Sequence, residues 1–264
     1  MAEAVEYKQI GSSPVRPDGV DKVTGRAQFG ADLMLPNMIH GKVLRSPHAH
    51  AKIKSIDLSG ALAIDGVFAA ISGADFPGGV PDGEVSGEGG GTLDDVAKNI
   101  MARDKVVYHG HAVAAVAAST PHLAEAALAA IKVEYEPLTP VLDVVAAMAE
   151  GSPLVDDENF TKLPEKPANP SNVASVGKLE RGNLDAGFAA ADLIIEREYK
   201  CPMAHQGYIE PHACVASMDE TGRGTVWCST QGHFEFRAAT AKILDRDMAD
   251  LKFVATEIGG GFGG

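Results

Sequence analysis

The last six residues, Gly259-Gly260-Gly261-Phe262-Gly263-Gly264, have the composition in this chain that most needs a chemical reason. Each glycine gives up roughly 0.5–1 kcal/mol of backbone freedom relative to alanine, so five cost on the order of 2–5 kcal/mol. That is large beside a net domain stability of about 5–15 kcal/mol. Such a run is kept where a ligand must approach the backbone closely or φ must be positive, and its bare N–H groups suit an anionic, oxygen-rich group. A mobile terminal tail is the competing reading, but the run comes directly after the apolar, strand-like Leu251–Ile258 without a polar spacer. The same residues fit G-x-G-x-x-G from Gly259 to Gly264. A dinucleotide fingerprint also needs a following helix and an acid about 20 residues further on, neither of which falls within residues 1–264, and Phe262 is awkward against a pyrophosphate.

Other polar groups with chemical potential are fewer. Gln231 stands where a strand hands over to a helix, and its amide can both donate and accept. That suits holding an oxo ligand or a substrate oxygen, and equally suits capping the helix. His205, Gln206, Glu210 and His212 crowd the start of a strand, as a hydrogen-bond network or a cleft wall would, although Glu210 could simply satisfy nearby backbone amides. The pairs His48/His50 and His109/His111 have strand spacing that could place two rings on one face. No carboxylate or thiol lies near enough in sequence to complete a ligand set, so hydrogen-bonded histidines at strand ends are the expectation. No G-x-S-x-G elbow supports a serine nucleophile. The three cysteines, Cys201, Cys214 and Cys228, match neither a zinc nor an iron–sulfur spacing and are expected to be reduced, buried hydrophobes.

These groups need a scaffold, and the composition provides for one. The chain has 264 residues, 45% hydrophobic and 22% charged, with a net charge of −13, enough for one large or two ordinary domains. No basic run exists to bind nucleic acid or an anionic membrane surface, no apolar stretch spans a bilayer, and the first residues lack the pattern of an export signal. A cytoplasmic protein is therefore expected. Strands are expected at 39–46, 51–57, 66–72, 105–108, 111–118 and 133–136, with a helix opened by Thr120-Pro121 and carrying Leu123, Ala126, Ala127, Ala130 and Ile131 on one face. Residues 73–95 read as a long glycine-rich loop. Further strands are expected at 192–199, 213–218, 225–229 and 251–258, with helices at 143–150, just after Asn183, and at 234–244. The fold class is α+β (mixed α/β), in four parts: an N-terminal arm over 1–17, a mixed unit over 18–137, a proline-rich linker over 138–182 and a second domain over 183–264.

Three segments together carry a resemblance: Asp18 to Asp32 leading into Leu44 to Ile53, then Ser229-Thr-Gln231, then the closing glycine run. The chain resembles the N-terminal portion of the molybdopterin-binding subunit of the xanthine dehydrogenase and aldehyde oxidase family. The resemblance implies an α/β hammerhead domain over 18–137 and, over 183–264, the first part of a molybdenum-cofactor-binding domain. It implies that Gln231 hydrogen-bonds a ligand of the molybdenum. It also implies that Gly260, Gly261, Phe262 and Gly263 lie against the metal centre and pterin, with Phe262 beside the substrate pocket. The metal is held through the pterin and not by a side chain of this chain. The implied cofactor is molybdopterin, in its plain or cytosine dinucleotide form. The implied chemistry is hydroxylation of an aldehyde or aromatic N-heterocycle with water as oxygen source, electrons leaving through iron–sulfur clusters and FAD on partner subunits. The family's subunit is about three times longer, and its activating glutamate lies beyond the equivalent of residue 264, so neither Glu210 nor Glu257 is assigned that role. The expectation is a component inactive alone, completed by the remaining part of the molybdenum subunit on another chain. A scaffold subunit that kept the fold and lost the site is the alternative, and a dinucleotide-binding module a more distant one.

Overall fold

The computed structural model describes residues 7–77, 84–85 and 91–263. Its elements run α1 (Gly19–Thr24), β1 (His40–Arg45), β2 (Ala51–Asp57), α2 (Ser59–Leu62), β3 (Val67–Ser72), β4 (Glu84–Val85), β5 (Gly91–Thr92), α3 (Leu93–Ile100) and β6 (Lys105–Val106). Next come β7 (Ala112–Ala118), α4 (Pro121–Ala130), β8 (Lys132–Pro137), α5 (Val144–Ala147), α6 (Leu184–Ala189), β9 (Cys214–Met218), β10 (Gly224–Cys228), α7 (His233–Ile243) and β11 (Leu251–Ala255). Helices beside mostly antiparallel sheets, with one parallel pair, give the described residues an α+β (mixed α/β) fold. They form two bodies: Asn37–Ala204 with Ile243–Asp245, and the residues up to Pro36 with His205–Lys242 and Arg246–Gly264.

The body built on residues 37–204 holds two three-stranded antiparallel sheets, ordered β1-β7-β3 and β6-β2-β8. The alanine- and valine-rich β7 is central to the first and buried on both faces, with Val113 and Ala114 fully enclosed. Thr120 caps α4 by accepting from Leu123 N–H at 3.2 Å, and Pro121 occupies the first helical position, where a missing N–H does no harm. The buried face of α4 is Leu123, Ala124, Ala127 and Leu128, continued by Ile131, and Ala126 is exposed. The expected stripe through Ala126 is thus rotated, because alanines on nearly every side leave the apolar period ambiguous. Where α2 crosses α4 the contact is close: a Cβ on Gly60 would stand 2.7 Å from the Ala130 carbonyl oxygen.

Several expectations change here. The 73–95 loop ends early, since Leu93 already begins α3, and β4 pairs with β5 before it. Residues 78–83 and 86–90 of that loop, residues 1–6 of the arm and Gly264 lie outside the described residues. Residues 192–199 form no ladder among the described residues, and Leu193, Ile194 and Ile195 are exposed. Apolar, β-prone residues make a strand only where a neighbour takes up the backbone bonds and packs on the side chains. The proline-rich 138–182 stretch carries its own bonds: Asn172 accepts from Val155 N–H and donates to the Ala147 and Pro153 carbonyls, all within 3.0 Å.

In the other body β10 is the middle strand, antiparallel to β9 and parallel to β11. A parallel neighbour requires a crossover, and α7 supplies it. The strand expected over 251–258 pairs only to Ala255, after which Glu257 forms an isolated bridge to Phe29.

Candidate functional site

Gln231 and the glycine run stand at corresponding places. β10 and β11 are adjacent and parallel, with Cys228 opposite Ala255, so the segments leaving the two strands emerge on the same sheet edge. After β10 the chain continues Ser229-Thr230-Gln231, and after β11 it continues to Ile258 and the glycine run. The carboxyl ends of adjacent parallel strands are where open sheets place ligands.

The structure brings Gln231 and the glycine loop into contact. A Cβ on Gly261 would lie 3.1 Å from Gln231 Nε2, so the bare backbone there is what lets the amide approach. Gly260 has φ +127° and Gly263 φ +83°, both in the range that favours glycine, and Phe262 itself sits at φ +54° with an exposed ring. The loop is therefore a set of turns at defined positive φ. No partner takes the Gly260 or Gly261 N–H among the described residues.

Gln231, Gly260 and Gly261 line two clefts. One, of about 840 Å³, is walled by the sheet face that carries Cys214, Val226, Cys228 and Phe253, and by Tyr208, Glu210 and His212. The other, of about 550 Å³, is bounded by Arg16, Asp18, Lys22, Glu257 and Phe262. Here Arg16 and Lys22 both pair with Asp18, at 2.6 and 3.2 Å, and Lys22 reaches Glu257 at 2.9 Å. The Arg16 hydrogen bond, joined by that of Lys22, outweighs desolvation and holds the Asp18 carboxyl well below the usual carboxylate range.

Glu210 lies behind the loop. Its Oε1 accepts from Ser229 O–H at 2.5 Å and its Oε2 from Gly259 N–H at 2.6 Å. Burial pushes this carboxyl up, but the bonds from Ser229, Gly259 and Gly30 and the nearby His212 prevail and hold it below its ordinary value. The expectation that Glu210 satisfies backbone amides is met, and together with Tyr208 and His212 it also walls the cleft. Tyr208 O–H and His212 Nε2 are 2.5 Å apart. Gly30 is a contributor that sequence reasoning misses; a Cβ there would stand 2.5 Å from the Ala213 carbonyl oxygen and 3.3 Å from Ser229 Oγ. Its sequence signal is confined to the Gly-Ala-Asp that closes the segment Asp18 to Asp32, and nothing in that segment points to residues 210 or 259.

One histidine of each pair is hydrogen-bonded through its ring: His50 Nδ1 bonds the Thr139 carbonyl and His111 Nε2 the Lys98 carbonyl, each at 2.9 Å, and among the described residues no cluster could hold a metal ion. The cysteines form no disulfide, but the expected burial fails: Cys201 and Cys214 are exposed and Cys228 is half-buried. No helix among the described residues is long and apolar enough to cross a membrane.

Both parts of the chain match known families. Residues 24–139 match the family model for the aldehyde oxidase and xanthine dehydrogenase a/b hammerhead domain, and residues 165–264 that for the molybdopterin cofactor-binding domain. The chain is 35% identical to the nicotinate dehydrogenase large molybdopterin subunit of Eubacterium barkeri, covering 98% of this chain and 56% of that one. It is 31% identical to the carbon monoxide dehydrogenase large chain of Afipia carboxidovorans, covering 99% of this chain and 32% of that one. The quinoline 2-oxidoreductase of Pseudomonas putida 86 superposes with a TM-score of 0.80 at 30% identity, over 98% of this chain and 32% of that one. The chain thus spans between about a third and a little over half of these relatives.

Proposed function

We propose, since this chain belongs to the xanthine dehydrogenase and aldehyde oxidase family of molybdopterin-binding subunits, that it forms the Gln231 and glycine-loop side of a molybdenum hydroxylase active site. One observation carries the reading: Gln231 Nε2 lies against the backbone of Gly261 at the carboxyl ends of two parallel strands. The residues present fit an anionic, oxo-rich cofactor. The N–H groups of Gly260 and Gly261 have no partner among the described residues, a side chain at 261 would fill the place where the amide approaches, and Gln231 offers a donor beside them. The cofactor, when bound, supplies the two-electron redox chemistry.

This chain's residues bind and orient. Gln231 would donate a hydrogen bond to an oxygen of the cofactor, Gly260, Gly261 and Gly263 would admit the group to the backbone, and the exposed Phe262 ring would border the substrate. The substrate is an aromatic N-heterocycle or an aldehyde, hydroxylated with oxygen from water. Two of the relatives described above are named for the N-heterocycles nicotinate and quinoline, which favours the first class. The remaining part of the molybdenum subunit, an iron–sulfur subunit and an FAD subunit complete the enzyme in the cytoplasm, and the pterin is molybdopterin, plain or as the cytosine dinucleotide.

Metal and pterin analysis of the purified complex tests this, together with Gln231→Ala. Loss of an outer partner to a metal ligand costs about 10–100-fold in affinity or activity, and that loss is expected here. A complex with full subunit occupancy and no molybdenum, or a Gln231→Ala complex with unchanged turnover, leaves a scaffold as the reading.

A further inference from the structure

We infer that Glu210 is the positioning residue of the glycine loop, a carboxylate that fixes Gly259 from behind and thereby sets where Gly260 and Gly261 stand relative to Gln231. The inference rests on the functional reading above only for what the loop holds, not for how it is held. Glu210 bonds Gly259 N–H at 2.6 Å and Ser229 O–H at 2.5 Å. These donors precede, by two residues each, Gly261 and Gln231, the pair that meets across the site. One carboxylate therefore references both halves of the contact to a single point. Ser229 Oγ also lies 3.2 Å from Thr256 Oγ1, which ties the end of β10 to the chain just after β11.

Reach matters as well. A Cβ on Gly259 would be 2.6 Å from Glu210 Cβ, so loop and side chain are in van der Waals contact along their length as well as at the carboxylate. A one-carbon-shorter acid could not hold that span, whereas an amide of equal length keeps an acceptor for Gly259, and Ser229 can turn from donor to acceptor toward it. The two oxygens of Glu210 are already directed at Ser229, Gly259 and Gly30, so the group is engaged in structure and does not take a substrate proton.

The experiment is amide hydrogen exchange on the purified complex for wild type, E210A, E210D and E210Q, read at Gly259, whose N–H donates to Glu210, and, as a control, at β7. Losing a hydrogen bond to a charged acceptor corresponds to about tenfold or more in local opening. E210A and E210D are expected to exchange at least about tenfold faster at the loop with β7 unchanged, and E210Q to stay within about threefold of wild type. The Mo(V) resonance spectrum of the same samples should broaden or shift in E210A and E210D and be restored in E210Q. Should E210A fail to accumulate, S229A removes one donor alone and is expected to give a smaller rise at the Gly259 amide. Unchanged loop exchange in E210A, or an E210Q protein as fast as E210A, overturns the inference. Wild-type complex without molybdenum but with the expected exchange pattern would overturn the functional reading and leave the positioning role standing.

Discussion

Replacing Gly30 by alanine sets two effects of known sign against each other. Where the backbone can accept it, alanine for glycine stabilises by about 0.4–1 kcal/mol, because the unfolded chain has fewer conformations to lose. Gly30 is not at positive φ, so that gain is accessible. Against it stands the Ala213 carbonyl oxygen, 2.5 Å from where the new methyl would sit, with the carbonyl carbon at 3.3 Å and Ser229 Oγ at 3.3 Å. The nearest obstacle is backbone, which cannot rotate away as a side chain could, so the overpacking cost belongs in the upper part of the usual range of about 1–3 kcal/mol. The net expectation is a loss of about 1–2 kcal/mol, or roughly 2–8 °C in Tm for a protein of this size. Thermal unfolding followed by circular dichroism reads it, with Gly177→Ala as the control. At Gly177 a methyl would meet nothing within 4 Å and φ is not positive, so that variant should be as stable as wild type or slightly more so. If Gly30→Ala unfolds at the same temperature as Gly177→Ala, the close approach of residues 29–32 to the start of β9 is wrong.

Three further outcomes are expected. Glu210 has a folded pKa below its ordinary 4.5, so its contribution is fully present above that value and is lost as pH falls through the lowered folded one; protection of the Gly259 amide should therefore survive at pH 5 and fail only in stronger acid. His111 is held neutral by burial, with a folded pKa below the ordinary 6.5 despite its bond to the Lys98 carbonyl. Its unfolded form takes up protons first, so urea midpoints should drop as pH falls from 6.5 toward that lower value, with a shallower slope in His111→Gln. Asn172→Ala removes three bonds that tie residues 147–155 to 172 and, with the half-buried Ala147 carbonyl and Val155 N–H left unmatched at about 1–3 kcal/mol, should speed limited proteolysis between 147 and 175 while sparing β7.

Local signals were the legible ones. The cap at Thr120-Pro121, the buried run at 112–118 and the helix after Gln231 are short-range patterns, and each element formed within a residue or two of expectation. The stripe on α4 was misplaced because alanine occupies too many positions to mark a face. The helix at Leu93–Ile100 was hidden by the glycine-rich residues before it. At the site, Gln231 and the glycine loop stood out by type, and their contact is a property of two strands lying parallel. Glu210 stood out as a polar group in apolar company, but its partners did not, since Gly30, Ser229 and Gly259 are far apart in sequence.

The isolated bridge between Phe29 and Glu257 bears on the order of assembly. The body that carries Gln231 joins residues 16–36 to strands synthesised much later, and the two ends of that bridge are roughly 230 positions apart. Everything in the interval 37–204 belongs to the other body, whose longest-range ladders are complete once β8 has been synthesised. During synthesis that intervening body can fold while residues 16–32 wait, and the waiting is inexpensive, because each doubling of a flexible loop adds only about 0.6 kcal/mol to its closure. Ribosome-bound chains long enough for β8 to have emerged should already protect β7 from exchange, whereas the Gly259 environment can form only after β11 has emerged and residues 16–32 have been recaptured.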